Sequence, residues 1–342
     1  MRARLRQGLV IPAHPLALTA RRRLDERRQC ALTRYYVDAG VGGLAVGVHT
    51  TQFAIRDPAV GLLGPVLALA RETARDWTER PLVHVAGVVG HTRSATAEAA
   101  LAARLGYDVA LVSLGGLDAW TTPRLVAHVR AVGEILPVMG FYLQPAVGGR
   151  DLPYRFWRAL LELEALVAIK VAPFDRYRTL DVVRAVADAG RAGEVALYTG
   201  NDDHIVLDLL TPFRCGDGPP LHFVGGLLGQ WAVWSRRAVE LHAACRAVAL
   251  ASGAPTPDRL TLAAQLTDAN AAIFDAANQY AGCLPGIHEV LRRQGLLAGT
   301  WCLNPEERLS PGQRAAIDRV LRVYPHLTDD AWVAERRERW LG

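Results

Sequence analysis

A chain of 342 residues, 51% hydrophobic and 21% charged, has the size and composition of a globular enzyme rather than of a disordered protein. Its longest uncharged apolar runs, such as Ala59–Ala70, fall short of the roughly 18 residues that cross a membrane, so we expect no membrane partner. The net charge is +5, but the basic residues stand in short groups beside acidic ones, which indicates solvated surfaces and no nucleic-acid partner. The five cysteines are scattered without a CxxC pair, which indicates reduced thiols and a cytoplasmic protein.

Short apolar, β-branched segments alternate along the chain with segments of helical periodicity. Eight of the apolar segments are predicted to be strands: Leu9–Pro12, Gly43–Val48, Leu82–Ala86, Val109–Val112, Pro137–Tyr142, Val167–Val171, Ala196–Thr199 and His222–Gly225. The predicted helices between them include Asp25–Ala39, Val60–Trp77, Ser94–Leu105, Pro123–Leu136, Tyr154–Ala165 and Leu180–Ala189. Repeated βα units imply a parallel sheet, and eight of them indicate closure into a (β/α)8 TIM barrel. An open doubly wound sheet is the alternative, but no GxGxxG follows the first strand.

The strand pattern stops near residue 235, and the rest of the chain has helical periodicity. Helices are predicted at Arg236–Leu250, Leu260–Tyr280 and Gln313–Tyr324. We therefore predict an α/β fold in two parts. Residues 1–235 form the catalytic barrel, and residues 236–342 form a C-terminal helical extension.

Lys170 stands out because the chain has 38 arginines and one lysine. Arginine can replace lysine wherever only a positive charge is needed, but a guanidinium cannot lose its proton and form an imine. Lys170 also lies within an apolar segment, Leu166–Val171, that is predicted to be a buried strand. A buried amine tends to be neutral, and a neutral amine at a barrel mouth can attack a carbonyl carbon without a metal or other cofactor. The alternative is a lysine in a buried salt bridge.

Tyr142 ends the fifth predicted strand, beside the strand that carries Lys170. A phenol there is a candidate for proton transfer to and from the carbons next to an imine. The alternative is an aromatic side chain that packs in the core.

Polar turns follow the second and seventh predicted strands. Hydroxyls and backbone amides in such turns can bind a carboxylate, and a glycine at the end of the eighth strand allows a ligand to approach the backbone closely. The candidate substrate-binding residues in these three places are His49, Thr50, Thr51, Gly200, Asn201 and Gly225.

Together these segments resemble the dihydrodipicolinate synthase and N-acetylneuraminate lyase family of Schiff-base aldolases and dehydratases. The matching elements are Ala168-Ile-Lys170, Tyr142 with Pro145, the turn Thr199-Gly200-Asn201-Asp202, and His14-Pro15 in place of a Thr-Pro pair. The resemblance implies a lyase that acts on a pyruvate-type 2-oxo acid, with Lys170 and Tyr142 as catalytic residues. It adds His14 to the substrate-binding residues. We also expect a homo-oligomer, a dimer or tetramer.

The departures from this family's pattern bear on the substrate. The family's Gly-Thr-Thr-Gly-Glu turn corresponds to Gly47-Val-His-Thr-Thr-Gln52, so the carboxylate site differs in detail. The synthases carry a tyrosine pair after the fourth strand, where this chain has Val112–Gly116. They also carry an arginine at the position of Val147, and Arg150 is the nearest arginine here. We therefore predict that this protein is not a true dihydrodipicolinate synthase.

Two other functions remain open at this point. A metal-dependent aldolase or hydrolase would use imidazoles at the barrel mouth, and the candidates are His14, His49, His84 and His91. No HExxH or similar ligand pair supports a metal, and we expect none. A catalytically degenerate barrel that only binds a small acid is the other alternative.

Overall fold

The computed structural model describes residues 1–251 and 253–342, and its centre is a barrel of eight parallel strands. The strands are β1 (Val10–Pro12), β2 (Gly43–Val46), β3 (Val83–Val88), β4 (Val109–Val112), β5 (Val138–Leu143), β6 (Leu166–Ala172), β7 (Ala196–Thr199) and β8 (Phe223–Leu228). Each strand from β2 to β7 pairs with the strand that follows it in the chain, and β8 pairs with β1. A bridge between Ala13 and Ala45 joins β1 to β2 and closes the ring.

The helices form an outer ring and a C-terminal extension. They are α1 (Arg2–Gln7), α2 (Glu26–Ala39), α3 (Leu63–Trp77), α4 (Thr92–Arg104), α5 (Thr122–Gly133), α6 (Tyr154–Leu160), α7 (Arg176–Asp188), α8 (Ile205–Leu210), α9 (Ser235–Leu250), α10 (Pro257–Ile273), α11 (Cys283–Arg293), α12 (Gln313–Val323) and α13 (Asp330–Leu341). The predicted (β/α)8 barrel with a C-terminal helical extension is confirmed. In the described part of the chain, no helix is both long and apolar enough to cross a membrane.

Alternation along the strands decides which side chains enter the barrel. On β6, Ala168 and Ala172 belong to the cluster inside the barrel, whereas Ile169 and Val171 belong to the cluster between strands and helices. Successive side chains of a strand point to opposite faces, so Lys170 shares the inward face of β6 with the two alanines. Its place near the end of the strand brings its amine to the carboxyl-terminal face of the barrel.

The N-terminal helix α1 closes the opposite end of the barrel. Leu5 is fully buried in the cluster inside the barrel, and its carbonyl accepts a hydrogen bond of 2.8 Å from the Tyr198 hydroxyl. We expect Leu5→Ala to lower the free energy of unfolding by about 2–5 kcal/mol, because it leaves a cavity among packed side chains. Urea denaturation measures this change, and the exposed Arg6→Ala is the control. A Leu5→Ala protein as stable as the control would contradict this role of α1.

The C-terminal region contributes both to the ring and to the cover of the barrel mouth. α9 packs against α8 and α2, so a helix that follows residue 235 completes the ring. The predicted boundary between barrel and extension at residues 235 and 236 stays a prediction. Because α9 belongs to the ring, we propose that the boundary lies after α9. The predicted helix Leu260–Tyr280 ends earlier, at Ile273, because Asp275, Gln279 and Tyr280 have positive φ angles of 59°, 52° and 67°. Four helices, α1, α8, α11 and α13, were not among those predicted from the sequence.

Candidate active site

A small cavity, with a volume of about 60 Å³, lies at the carboxyl-terminal face of the barrel. Strand ends form its walls, and the segment from α10 to α11 covers it. The lining residues from the barrel are Ala13, Val48, His49, Thr50, Phe141, Leu143, Gln144, Val147, Lys170, Ala172, Phe174, Gly200, Asp202 and Gly229. Those from the C-terminal region are Phe274, Tyr280, Cys283 and Ile287. Barrels of this kind carry their active sites at this face, so this cavity is the candidate site.

Lys170 lies on the wall of this cavity and is buried, with 8% of its surface exposed. Its Nζ lies 4.4 Å from the centre of the Phe141 ring, which pairs with it across β5 and β6. Burial lowers the pKa of Lys170 to about 8, because the ammonium loses water, while the negative charge of Asp202 acts in the opposite direction. A substantial fraction of Lys170 is therefore a neutral amine in mildly alkaline solution.

Gly200, at the turn after β7, makes room for the lysine side chain. An added Cβ there would lie 2.6 Å from Lys170 Cε and 2.7 Å from Ala172 Cβ. We expect Gly200→Ala to displace the amine and to slow imine formation with pyruvate by roughly 10- to 100-fold. Borohydride trapping followed over time measures this rate. Gly193→Ala is the control, since its Cβ would point into open space, and equal rates in the two variants would contradict the crowding argument.

Asp202 is the carboxylate of the cavity, and it is buried beyond β7. Its Oδ1 accepts a hydrogen bond of 2.9 Å from the backbone amide of Gln230, and its carbonyl accepts one of 2.6 Å from the Asn270 side chain. Burial raises the pKa of Asp202 to about 7, which the backbone hydrogen bond and the charge of Lys170 partly oppose. Lys170 and Asp202 are thus two interacting groups that exchange protons in the same pH range.

His49 and Thr50 follow β2, which lies across the barrel from β6. Burial, and then the charge of Lys170, lower the pKa of His49 to about 4, so this imidazole is neutral at physiological pH. Thr50 donates a hydrogen bond of 3.3 Å to the His14 carbonyl. Thr51 donates one of 2.7 Å to the same carbonyl and accepts one from the Gly47 amide. Thr51 therefore holds the turn and does not line the cavity, so its contact with substrate stays a prediction.

The structure places the Tyr142 side chain outside the cavity. Tyr142 pairs with Val171 and points away from the barrel interior, toward the helices, where its ring centre lies 5.5 Å from that of Trp157. Its hydroxyl accepts a hydrogen bond of 3.3 Å from the Leu152 amide and does not reach the cavity. The inward residue beside Lys170 is Phe141, which has no hydroxyl. Proton transfer by Tyr142 stays a prediction that this position of its hydroxyl does not support.

Three predicted substrate-binding residues also lie outside the cavity. The His14 ring is buried against α2 and hydrogen-bonds to Thr33 and Gln29, so only its carbonyl supports the site. The Asn201 side-chain amide donates a hydrogen bond to the Asp208 carboxylate, and its Oδ1 accepts a hydrogen bond from the Phe174 backbone amide. Gly225 lies early in β8, where an added Cβ would be 2.3 Å from the Leu9 carbonyl oxygen. Of the nine predicted site residues, those that line the cavity are Lys170, His49, Thr50 and Gly200.

The four histidines proposed as metal ligands are not brought together. His84 lies near the start of β3, with its ring 5.7 Å from that of Tyr107, far from the strand ends. His91 precedes α4 and contacts Trp120, while the His14 ring faces α2. Within the described residues, no group of three or more His, Cys, Asp or Glu side chains is arranged to hold a metal ion. These four histidines therefore do not form a joint metal site within residues 1–251 and 253–342.

Most residues of the upper wall, the part of the cavity lining formed by Phe174, Phe274, Tyr280, Cys283 and Ile287, were not predicted from the sequence. Asp202 was part of the polar turn after β7 but was not singled out as a site residue. No sequence pattern marked Phe174 as a site residue. In the structure it has a positive φ of 52°, in the turn after β6. Phe274, Tyr280, Cys283 and Ile287 belong to a helical region without a recognisable motif, and only the folding of the chain brings them to the barrel mouth.

Comparison with solved structures places this geometry among known folds. A dihydrodipicolinate synthase from Aquifex aeolicus matches with a TM-score of 0.74 and 18% identity, covering 94% of this chain and 99% of the other. An N-acetylneuraminate lyase from Fusobacterium nucleatum in complex with pyruvate matches with a TM-score of 0.70 and 17% identity, over 94% and 98% of the two chains.

This chain has the fold of those two groups of enzymes. A synthase from Oceanobacillus iheyensis gives the same result, with a TM-score of 0.72 and 18% identity over 95% of this chain and 98% of the other. No protein-family model and no curated protein matches the sequence. The resemblance seen in the sequence is therefore confirmed at the level of the fold, and the activity has to be argued from the cavity.

Proposed function

We propose that this protein is a Schiff-base-forming lyase that acts on a pyruvate-type 2-oxo acid through Lys170. The observation that carries the proposal is that the only lysine of the chain lies buried at the mouth of the barrel, in its candidate cavity. Burial lowers the pKa of its amine, as a nucleophilic lysine requires. The structural neighbours, which include an enzyme in complex with pyruvate, support the same class of reaction.

The proposed reaction begins with attack of the neutral Lys170 Nζ on the carbonyl carbon of the 2-oxo acid. The carbonyl oxygen takes up protons and leaves as water, which gives a protonated imine. The imine withdraws electrons from the neighbouring carbon, so that carbon can lose a proton and become an enamine. The enamine then forms or breaks a carbon–carbon bond, and water finally releases the product from Lys170.

We assign the proton transfers to Asp202, in place of Tyr142. Asp202 lines the same cavity as Lys170, and its raised pKa allows it to give and accept a proton near neutral pH. The amide of Gln230 fixes one carboxylate oxygen. The second oxygen is then available for the water that leaves and for the carbon acid.

We assign the substrate carboxylate to the wall formed by His49 and Thr50. This wall follows β2, which lies across the barrel from β6, and it lines the same cavity as Lys170. A neutral imidazole can donate a hydrogen bond to the carboxylate, and the two threonine contacts with the His14 carbonyl fix the turn. The predicted homo-oligomer and the cytoplasmic location stay predictions.

A barrel that binds a 2-oxo acid without turnover is the second candidate. The observation that favours it is Phe141, because a phenyl ring beside Lys170 cannot move a proton. Under this alternative, Lys170 still forms an imine, but the neighbouring carbon does not exchange its protons.

Two readouts on the same sample test the proposal. The protein is incubated with a panel of 2-oxo acids, including pyruvate, and borohydride reduction followed by mass spectrometry reports imine formation. In parallel, proton NMR in D2O follows loss of the methyl signal of pyruvate, which reports enamine formation. Imine and exchange together support a lyase, imine without exchange supports a binding protein, and the absence of both with every acid contradicts the proposal.

A further inference from the structure

The wall of the cavity above Lys170 is apolar and comes from two parts of the chain. Phe174 and Val147 belong to the barrel loops, while Phe274 and Ile287 belong to the C-terminal region. A substrate that extends beyond the 2-oxo acid has to grow toward this wall, because strands and their side chains fill the barrel below. Gln144 and Tyr280 add polar but uncharged side chains to the lining. Largely apolar walls favour apolar groups and offer no charge to a second anion.

The charges of the cavity are few. Among the lining residues within 1–251 and 253–342, Lys170 is the one cation that carries charge at neutral pH, and Asp202 is the one carboxylate. Lys170 is already bonded to the 2-oxo acid in the proposed reaction, so it cannot serve a second anion as well. A further carboxylate in this space would face Asp202 and lose its water without gaining a partner.

The arginine nearest in sequence to Val147 does not reach the cavity. Arg150 donates hydrogen bonds to the carbonyls of Leu117 and Asp118, in the loop after β4, and does not line the cavity. Val147 occupies the cavity wall three residues earlier, at the end of the short 3-10 helix Pro145–Val147.

The aromatic part of the wall is held in place by hydrogen bonds and close contacts. The Phe174 amide donates to Asn201 Oδ1 at 3.1 Å, and the Phe174 ring meets Tyr280 edge-on with 5.7 Å between centres. Asp275, which accepts hydrogen bonds from Gly282 and Asn278, fixes the turn that carries Tyr280. The apolar wall is therefore a built surface rather than a loose loop.

We infer that the second substrate is an aldehyde whose chain beyond the carbonyl is uncharged and apolar. This inference rests on the proposed function. The enamine carbon of the 2-oxo acid attacks the aldehyde carbon, and the aldehyde oxygen takes up the proton that the methyl group gave up. Water then releases a 4-hydroxy-2-oxo acid from Lys170. Cleavage is the same sequence in reverse.

The test compares butanal with succinate semialdehyde, two aldehydes of equal chain length that end in a methyl group and a carboxylate. Each is mixed with the protein and pyruvate, and product formation is measured by mass spectrometry. We expect kcat/KM for butanal to exceed that for succinate semialdehyde by roughly 100-fold or more. Aspartate semialdehyde, which also carries a carboxylate, is expected to react as poorly as succinate semialdehyde.

A variant tests whether missing charge is the cause. Val147→Arg puts a cation on the wall, and we expect it to raise the preference for succinate semialdehyde over butanal by about tenfold or more. Val147→Met is the matched control of similar bulk without charge. An unchanged preference in a folded Val147→Arg protein, with wild-type thermal stability, would contradict the charge argument.

Deuterium exchange of pyruvate distinguishes failure of the aldehyde inference from failure of the proposed function. Exchange together with equal or greater reactivity of succinate semialdehyde would overturn the inference and leave the proposed function standing. Exchange without product from any aldehyde would overturn it in the same way. Absence of both exchange and imine would remove the proposed function and the inference with it.

Discussion

Replacing Lys170 with arginine is expected to abolish imine formation and to reduce turnover by roughly 10⁴- to 10⁶-fold while the protein stays folded. Arginine keeps the positive charge, but its guanidinium does not deprotonate and cannot form an imine. The side chain is buried in the barrel, so thermal melting has to be measured alongside activity. Lys170→Met, which removes the charge and keeps an unbranched chain, is expected to have the same effect on activity.

A second lysine elsewhere supplies the control for position. Arg308 has a highly exposed side chain, 77% accessible, and Arg308→Lys introduces an ordinary surface amine. The double variant Lys170→Arg, Arg308→Lys is expected to remain inactive, because the new amine is solvated and residue 308 does not line the cavity. Borohydride adducts and pyruvate exchange are the measurements. Exchange at the wild-type rate in Lys170→Arg would show that another group carries the chemistry.

Asp202→Asn is expected to lower the rate of pyruvate exchange by about 100- to 10,000-fold, since it removes the proposed proton-transfer group and keeps the shape of the side chain. Imine trapping should persist, because Lys170 is intact. Asp203→Asn is the matched control, since Asp203 is adjacent in sequence but does not line the cavity. If the Asp202 and Asp203 variants lost activity equally, the assignment to Asp202 would be wrong.

The same variant has a signature in the pH profile. Attack on the carbonyl needs the neutral amine, so imine formation rises with pH through the pKa of Lys170, near 8. The negative charge of Asp202 raises that pKa, and the amide in Asp202→Asn carries no charge. We therefore expect the rising limb of the profile to move to lower pH in the variant. A limb that stays in place or moves to higher pH would show that the two groups do not interact as proposed.

The eight strands and the buried position of Lys170 on the sixth strand could be predicted, because both depend on local sequence. β-branched segments alternate with helical ones, and a lone lysine within such a segment is a chemical signal. The side on which Tyr142 points could not be predicted, because a shift of one residue turns a strand side chain to the other face. β5 has an irregular register with β6 between Val138 and Met139, which no sequence pattern indicates.

The upper wall of the cavity could not be predicted for a different reason. Phe274, Tyr280 and Ile287 reach the barrel mouth only because α10 ends at Ile273 and the turn after it has left-handed residues. Tyr280 contacts Phe174 after β6, and Phe274 and Ile287 lie beside Gly229 after β8. These contacts are long-range in sequence and depend on packing of the whole C-terminal region. In the turn after β7, Gly200 and Asn201 were identified from the sequence, whereas the residues of this turn that line the cavity are Gly200 and Asp202.

Peptide mapping of the borohydride-reduced complex with pyruvate tests the central claim most directly. The chain has two kinds of primary amine, the Lys170 side chain and the N-terminal amine, so the position of the adduct is unambiguous. We expect one reduced pyruvyl group per chain, on the peptide that contains Lys170, and none on that peptide when borohydride is added without pyruvate. An adduct confined to the N-terminal peptide, with Lys170 unmodified, would contradict the account.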